Sequence, residues 1–168
     1  MAPPLPSQPH LVFNVAYGGV ARELATAAII ADPLTGKTLT LQRVIWDTGA
    51  TNSVLRNDIP AKLGLTATGQ AEVSTANGKA IVDAYLIELR LPHGLAIQGM
   101  NVTRGDLGPN TEMLVGMDVI GLGDFIVQNC AGKTQFSFCF PPFANKLDMI
   151  GKANTINAHI AKQAARLK

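Results

Sequence analysis

Val44-Ile45-Trp46-Asp47-Thr48-Gly49-Ala50-Thr51-Asn52-Ser53-Val54-Leu55 is the stretch on which the reading of this chain turns. Apolar residues run up to an Asp-Thr-Gly-Ala turn and resume beyond it. The spacing predicts a strand that delivers a carboxylate to a tight loop and a second strand that leaves. Gly49 lets the backbone turn sharply, and Thr48 and Thr51 offer hydroxyls that can fix the loop by hydrogen bonds. One acid between apolar flanks implies a carboxylate in a dry setting, suited to general acid/base work. Taken alone, Asp47-Thr48-Gly49 also reads as an ordinary Asx turn between strands; the frame around it carries the stronger signal.

Two further segments extend that frame. Met113-Leu114-Val115-Gly116-Met117-Asp118-Val119-Ile120 ends an apolar run in a glycine that opens a short helix. Val73-Ser74-Thr75-Ala76-Asn77-Gly78-Lys79-Ala80-Ile81-Val82 sets Asn-Gly between β-prone runs, the strongest short-range hairpin signal. With these on either side of the middle of the chain, the apolar-apolar-Trp-Asp-Thr-Gly-Ala-Thr-x-Ser-apolar-Leu frame resembles the active-site loop of aspartic peptidases. Ala50 places the resemblance on the retroviral, single-lobe branch, and the order of loop, hairpin and apolar-apolar-Gly helix matches over roughly residues 40 to 140.

The resemblance implies an all-β fold: a retropepsin-like closed barrel with a flap hairpin and short helices, acting as a symmetric homodimer. It implies that Asp47, Thr48 and Gly49 form the catalytic loop, with Thr48 bonding across the dimer axis. It implies too that Thr75, Ala76, Asn77 and Gly78 form a flap that closes over an extended peptide or protein substrate. The Gly116 segment would pack a strand behind the catalytic loop. Retroviral enzymes usually place Arg after that glycine; Met117 stands here, and Asp118 is expected to cap the helix instead. The flap tip is polar where the family's is rich in Gly and Ile.

Aspartic peptidases activate water between two carboxylates that share one proton, because like charges about 3 Å apart cannot both ionise. None of the other aspartates, Asp32, Asp58, Asp83, Asp106, Asp118, Asp124 and Asp148, is followed by Thr-Gly or Ser-Gly. One copy of the loop in so short a chain points to Asp47 of two subunits meeting across a two-fold axis. The expected activity is peptide-bond hydrolysis by an aspartic-type endopeptidase, with no cofactor and no metal. The alternative is a peptide-binding or dimerisation module of the same fold with little or no proteolysis.

Composition bounds the remaining classes. The chain has 168 residues, 47% hydrophobic and 15% charged, with a formal charge of +2, which describes a compact apolar globule and gives no electrostatic case for nucleic acid. His10, His93 and His159 have no carboxylate or Cys at ligand spacing, so metal binding is not expected. The longest apolar runs fall far short of the roughly 20 residues that a membrane helix needs. Without a basic start and apolar run the N-terminus does not read as a signal peptide, which favours the cytoplasm. Since Met1 opens the chain, a polyprotein segment is not expected.

Three regions are expected: a Pro-rich tail at 1–10, the peptidase domain at 11–143, and a C-terminal extension at 144–168. In order, the chain predicts a strand at 11–15, a second in the later half of 22–31, a turn at Asp32-Pro33-Leu34-Thr35-Gly36, and a third strand from Thr38. Asn57 to Leu65 predicts one or two helical turns, capped by Asn57 or Asp58 and stopped at Gly64. Strands from Tyr85 and from Leu95 flank a Pro92-His93-Gly94 turn, and Arg104 to Asn110 reads as a polar loop. Hairpin arithmetic places Cys130 over 15 Å from Cys139, so both read as free thiols in core or interface space. Phe136, Phe138 and Phe140 share a face and read as core or dimer interface. Asn154 to Lys168 predicts a helix with Ile156, Ile160, Ala164 and Leu167 on one side, either packed on the barrel or held for a partner, and with too thin a stripe for a membrane surface.

Overall fold

The computed structural model of the chain describes residues 9–75, 78–145 and 147–166. The first hairpin shows why strand wins over helix in the alanine-rich segment. Strand β2 (Ala25–Ala31) buries Thr26, Ala28 and Ile30 and exposes Ala27 and Ile29, a period of two. Asp32 turns the chain: Oδ1 accepts the Leu34 amide at 2.9 Å, Oδ2 accepts the Thr35 hydroxyl at 2.6 Å, and Gly36 takes φ +72°. β3 (Thr38–Trp46) returns antiparallel, with a register shift between Thr26 and Ala28. There the Gln42 and Arg43 amides turn aside to the Glu112 carboxylate.

The other strands are β1 (Leu11–Ala16), β4 (Val54–Arg56), β5 (Gly69–Thr75), β6 (Gly78–Arg90), β7 (Ala96–Gly105), β8 (Met113–Val115), β9 (Asp124–Cys130) and β10 (Lys133–Phe140). The larger sheet runs β2-β3-β8-β4-β7-β6-β5, and β6 also pairs with β2 through Ile30 and Leu89. That pairing closes six strands into a barrel and leaves β5 outside it as the second arm of the flap hairpin. Ile30, Leu41, Val44, Leu55, Ile87, Leu89, Val102, Met113 and Val115 are all buried in its core.

A second sheet, β1-β10-β9, lies against the barrel. Phe13, Phe136 and Phe138 are fully buried and surround Trp46, whose ring stacks on Phe125 at 5.5 Å and whose Nε1–H donates to the Thr26 hydroxyl at 3.1 Å. Trp46 thus pins the end of β3, one residue before Asp47, between the two sheets. Phe136 and Phe138 are core, and Phe140 packs at its margin.

Several expectations change. Helix α1 (Ile59–Leu63) stops at Gly64 in the left-handed region as anticipated, but the Asp58 side chain does not cap it and pairs with Arg56 and Lys62 instead. β7 runs on to Gly105, which shortens the polar loop. The thiols are free, yet only Cys139 is buried; Cys130 is exposed, because Cys130 sits beside the hairpin turn opposite Lys133. Burial and the nearby Asp124 push the Cys139 thiol up.

Helix α3 (Met149–Arg166) starts before the expected position because Asp148 Oδ1 accepts the Gly151 amide at 2.8 Å and opens it. It does not pack on the barrel: Met149, Ile150, Ile156 and Ile160 are exposed. No helix among the described residues is long and apolar enough to cross a membrane. Residues 1–8 of the tail and Leu167 lie outside the described residues.

Phe136→Ala is expected to lower the free energy of unfolding by about 3–5 kcal/mol in chemical denaturation, because it empties the space between the sheets. The Arg56 guanidinium, and then Lys62, hold the Asp58 carboxyl well below its ordinary value of 3.8. A depressed folded value contributes stability above the unfolded value and loses it as pH falls toward the folded one. Asp58→Asn is therefore expected to flatten the fall in thermal midpoint below about pH 4.

Candidate active site

β8 lies between the strand that enters the Asp47 loop and the strand that leaves it, parallel to β3 and antiparallel to β4. The Asp47 amide donates to Val115 O at 2.9 Å, so the loop begins on the last residue of that central strand. The chain then passes over Gly116 and returns at Val54. Gly116 permits this passage: a Cβ there would stand 2.7 Å from the Asn52 carbonyl carbon and 2.8 Å from Ala50 O.

Within the loop, Asp47 Oδ1 accepts the Gly49 amide at 2.8 Å. A Cβ at Gly49 would come within 3.2 Å of that oxygen, so the glycine keeps the carboxylate close to its own backbone. Helix α2 (Met117–Ile120) holds the loop from below: the Met117 amide donates to Ala50 O at 2.8 Å and the Asp118 amide to Thr51 O at 3.1 Å. These are first-turn N–H groups with no partner inside a helix, and the loop carbonyls satisfy them.

The Asp118 carboxylate completes the clasp. It accepts the Ser53 amide at 2.9 Å and the Ser53 hydroxyl at 2.8 Å, while the same hydroxyl oxygen accepts the Gly116 amide at 3.1 Å. Ser53 is fully buried. Asp118 is not the helix cap expected from sequence; Gly116 occupies that position, without a side-chain bond. The pairing of Ser53 with Asp118 was hidden in the sequence because 65 residues separate them. Its one legible trace is a small hydroxyl residue closing the loop and an acid two residues after the glycine.

Asp47 itself is half-buried, not dry: in the single chain its carboxylate looks onto a cleft of about 400 Å³ whose walls include Arg22, Glu23, Leu24, Trp46, Thr48 and Val127. Arg22 and Glu23 were not singled out in the sequence; Glu23 also pairs with Arg43. Thr48 and Gly49 are exposed, and among the described residues the Thr48 hydroxyl has no hydrogen-bond partner. Trp46, although it borders the cleft, is buried in the core.

The flap hairpin forms with Thr75 opposite Gly78, and Gly78 takes φ +110°. Ala76 and Asn77, the expected tip, lie outside the described residues. Lys79 is no free charge, since it meets Glu72 across the hairpin at 2.7 Å. The described flap residues do not line the cleft beside Asp47. Among the described residues, no three of His, Cys, Asp and Glu gather as a metal site would require.

A single-lobe barrel that presents one Asp-Thr-Gly loop on an apolar-apolar-Gly support defines the aspartic peptidase class with retropepsin-like architecture. The chain belongs to the aspartyl protease family, which it matches over residues 34–119, from the turn before β3 into α2. Among solved structures it is similar to a retropepsin-like aspartic protease from Rickettsia conorii, with 17% identity, covering 80% of this chain and 98% of that one at a TM-score of 0.47. It is also similar to EIAV protease complexed with the inhibitor HBY-793, with 18% identity, covering 64% of this chain and 92% of that one at a TM-score of 0.48. No curated protein matches it.

Asp118→Ala leaves the buried Ser53 hydroxyl and amide without their acceptor and is expected to cost about 1–3 kcal/mol of stability. Faster hydrogen exchange at the Ser53 amide, with core amides of β6 little changed, locates the loss. Gly116→Ala forces a backbone clash and is expected to cost about 1–3 kcal/mol or more by the same denaturation measurement.

Proposed function

We propose that the protein is an aspartic endopeptidase whose catalytic dyad is two Asp47 carboxylates, one from each of two copies. The observation that carries this reading is a single, rigidly backed Asp-Thr-Gly loop whose carboxylate is half-exposed and whose Thr48 hydroxyl has no partner among the described residues. A second copy supplies what the isolated loop lacks: a neighbouring carboxylate for Asp47 and an acceptor for Thr48.

One Asp47, ionised, takes a proton from a shared water as that water attacks the peptide carbonyl. The other Asp47, protonated, donates to the carbonyl oxygen, and a proton then passes to the leaving nitrogen as the C–N bond breaks. Gly49 leaves room for close approach of the substrate backbone. The flap residues Thr75, Ala76, Asn77 and Gly78 close over an extended peptide, adding main-chain hydrogen bonds along it. The domain that does this is 11–143, with 1–10 a tail and 144–168 an appended extension.

The second reading, a peptide-binding module with little or no cleavage, draws on the polar flap and the absence of described flap residues from the Asp47 cleft. Cleavage of a peptide library, followed by mass spectrometry across pH, separates the two. The expected result is a bell-shaped rate profile, from two carboxylates that titrate as a pair. Asp47→Asn is expected to fold and dimerise with cleavage lost, and a statine-type mimic to bind the native protein far more tightly than substrate does. Cleavage that persists in Asp47→Asn would overturn the mechanism.

A further inference from the structure

We propose that the free edge of β9 is the surface on which the second copy docks, antiparallel strand to antiparallel strand about Val127, so that two three-stranded sheets join into one of six. This rests on the reading of Asp47 as half of a shared dyad and goes further by naming the surface and its register.

The edge is exposed by the topology: the sheet runs β1-β10-β9, and among the described residues no strand lies beyond β9. Its backbone direction follows from the bonds of β10. The Thr134 amide donates to Gly19 O and the Thr134 carbonyl accepts the Tyr17 amide, so Thr134 faces away from β9. Asn129 stands opposite Thr134, and its own amide and carbonyl therefore point outward. Alternation gives Phe125 and Val127 the same outward direction. Among the described residues the outward amides of all three have no backbone partner.

Edge strands of proteins that work alone are protected by charge, proline or a covering element. From Phe125 to Cys130 this strand has neither a charged residue nor a proline. Ile126 and Val127 are exposed at 37% and 44%. The chain's own helix does not cover them, since α3 is exposed along almost its whole length. The segment after β10 borders only the start of β9, where Phe143, Asn145 and Leu147 share a cleft with Phe125 and Ile126. An uncharged edge that no described strand pairs from Val127 onward is built to be paired.

A second copy is the occupant that fits. Self-pairing about a two-fold axis needs a strand whose outward groups can meet their own kind, and Val127 sits midway between Phe125 and Asn129. In that register Val127 faces the second copy's Val127 in a hydrogen-bonded pair, and Phe125 faces Asn129. On the opposite face of the sheet, Ile126 meets Gln128. The position of the active loop supplies the second argument: Val127 and Asn129 line the same cleft as Asp47 and Thr48. An axis through Val127 therefore passes beside the loop that needs a twin, and the same pairing can serve sheet and site.

The test uses the full chain with Cys130→Ser to remove the exposed thiol and Val127→Cys at the proposed axis. Residues opposite each other in an antiparallel pair lie about 5.5 Å apart at Cα, within reach of a disulfide. The expected result under mild oxidation is a disulfide-linked dimer that still binds a statine-type inhibitor, while Gln128→Cys in the same background does not cross-link to itself. Independently, Val127→Lys sets like charges opposite one another and is expected to raise the dimer dissociation constant roughly tenfold or more, with the thermal midpoint of the monomer unchanged. Sedimentation that finds dimers, with no cross-link at position 127 and no response to Val127→Lys, overturns this surface and leaves the shared dyad standing. Monomers at every concentration, with inhibitor present, overturn both.

Discussion

The structure depends on one constraint: a tight loop that presents an acid outward has few hydrogen bonds of its own, and something else must hold it. Here α2 does so from directly beneath. Two helix amides take the carbonyls of Ala50 and Thr51, and Asp118 reaches around to grip Ser53 at the loop's exit. Gly116 makes the approach possible, since any side chain would collide with the loop backbone. Entry is fixed by a different force. Trp46 is wedged in an aromatic cluster between two sheets, so the residue before Asp47 has one place to be. Polar bonds behind the loop and apolar packing before it leave the carboxylate itself as the part that faces outward.

That division explains which parts of the fold were legible in the sequence. The Asp47 loop, the flap hairpin and the Gly116 segment are local patterns, each decided within about ten residues. The β2 segment was legible only through its neighbours: alanine tolerates helix, and the Asp32-to-Gly36 turn with the alternating partner strand settled it as β. Phe136 and Phe138 were recognisable as interior from their shared face, though the sequence could not say which layer they would fill.

What stayed hidden was non-local. Asp118 looked like a helix cap because acids near a helix start usually are, and the deciding partner, Ser53, lies 65 residues away in the loop just before β4. Asp58 was misread in the same way, since Arg56 and Lys62 outcompete the helix amides for its carboxylate. The dry setting inferred for Asp47 failed because apolar flanks in sequence bury the strand and not the turn at its end. For α3, periodicity gave the helix but not its docking: a thin apolar stripe can form a helix without binding the barrel, and here the stripe is left in solvent.

On the proposed mechanism, the site in one chain is half of a device. A lone carboxylate on a rigid loop can bind a proton or a water, but splitting acid and base roles between like groups requires a second carboxylate near the first. Mixing decides this most directly. Native protein is combined with the Asp47→Asn variant at constant total concentration, exchanged to equilibrium, and assayed for peptide cleavage. The account predicts activity falling as the square of the native fraction, because every productive unit needs two native loops. Activity falling in simple proportion to that fraction would contradict it.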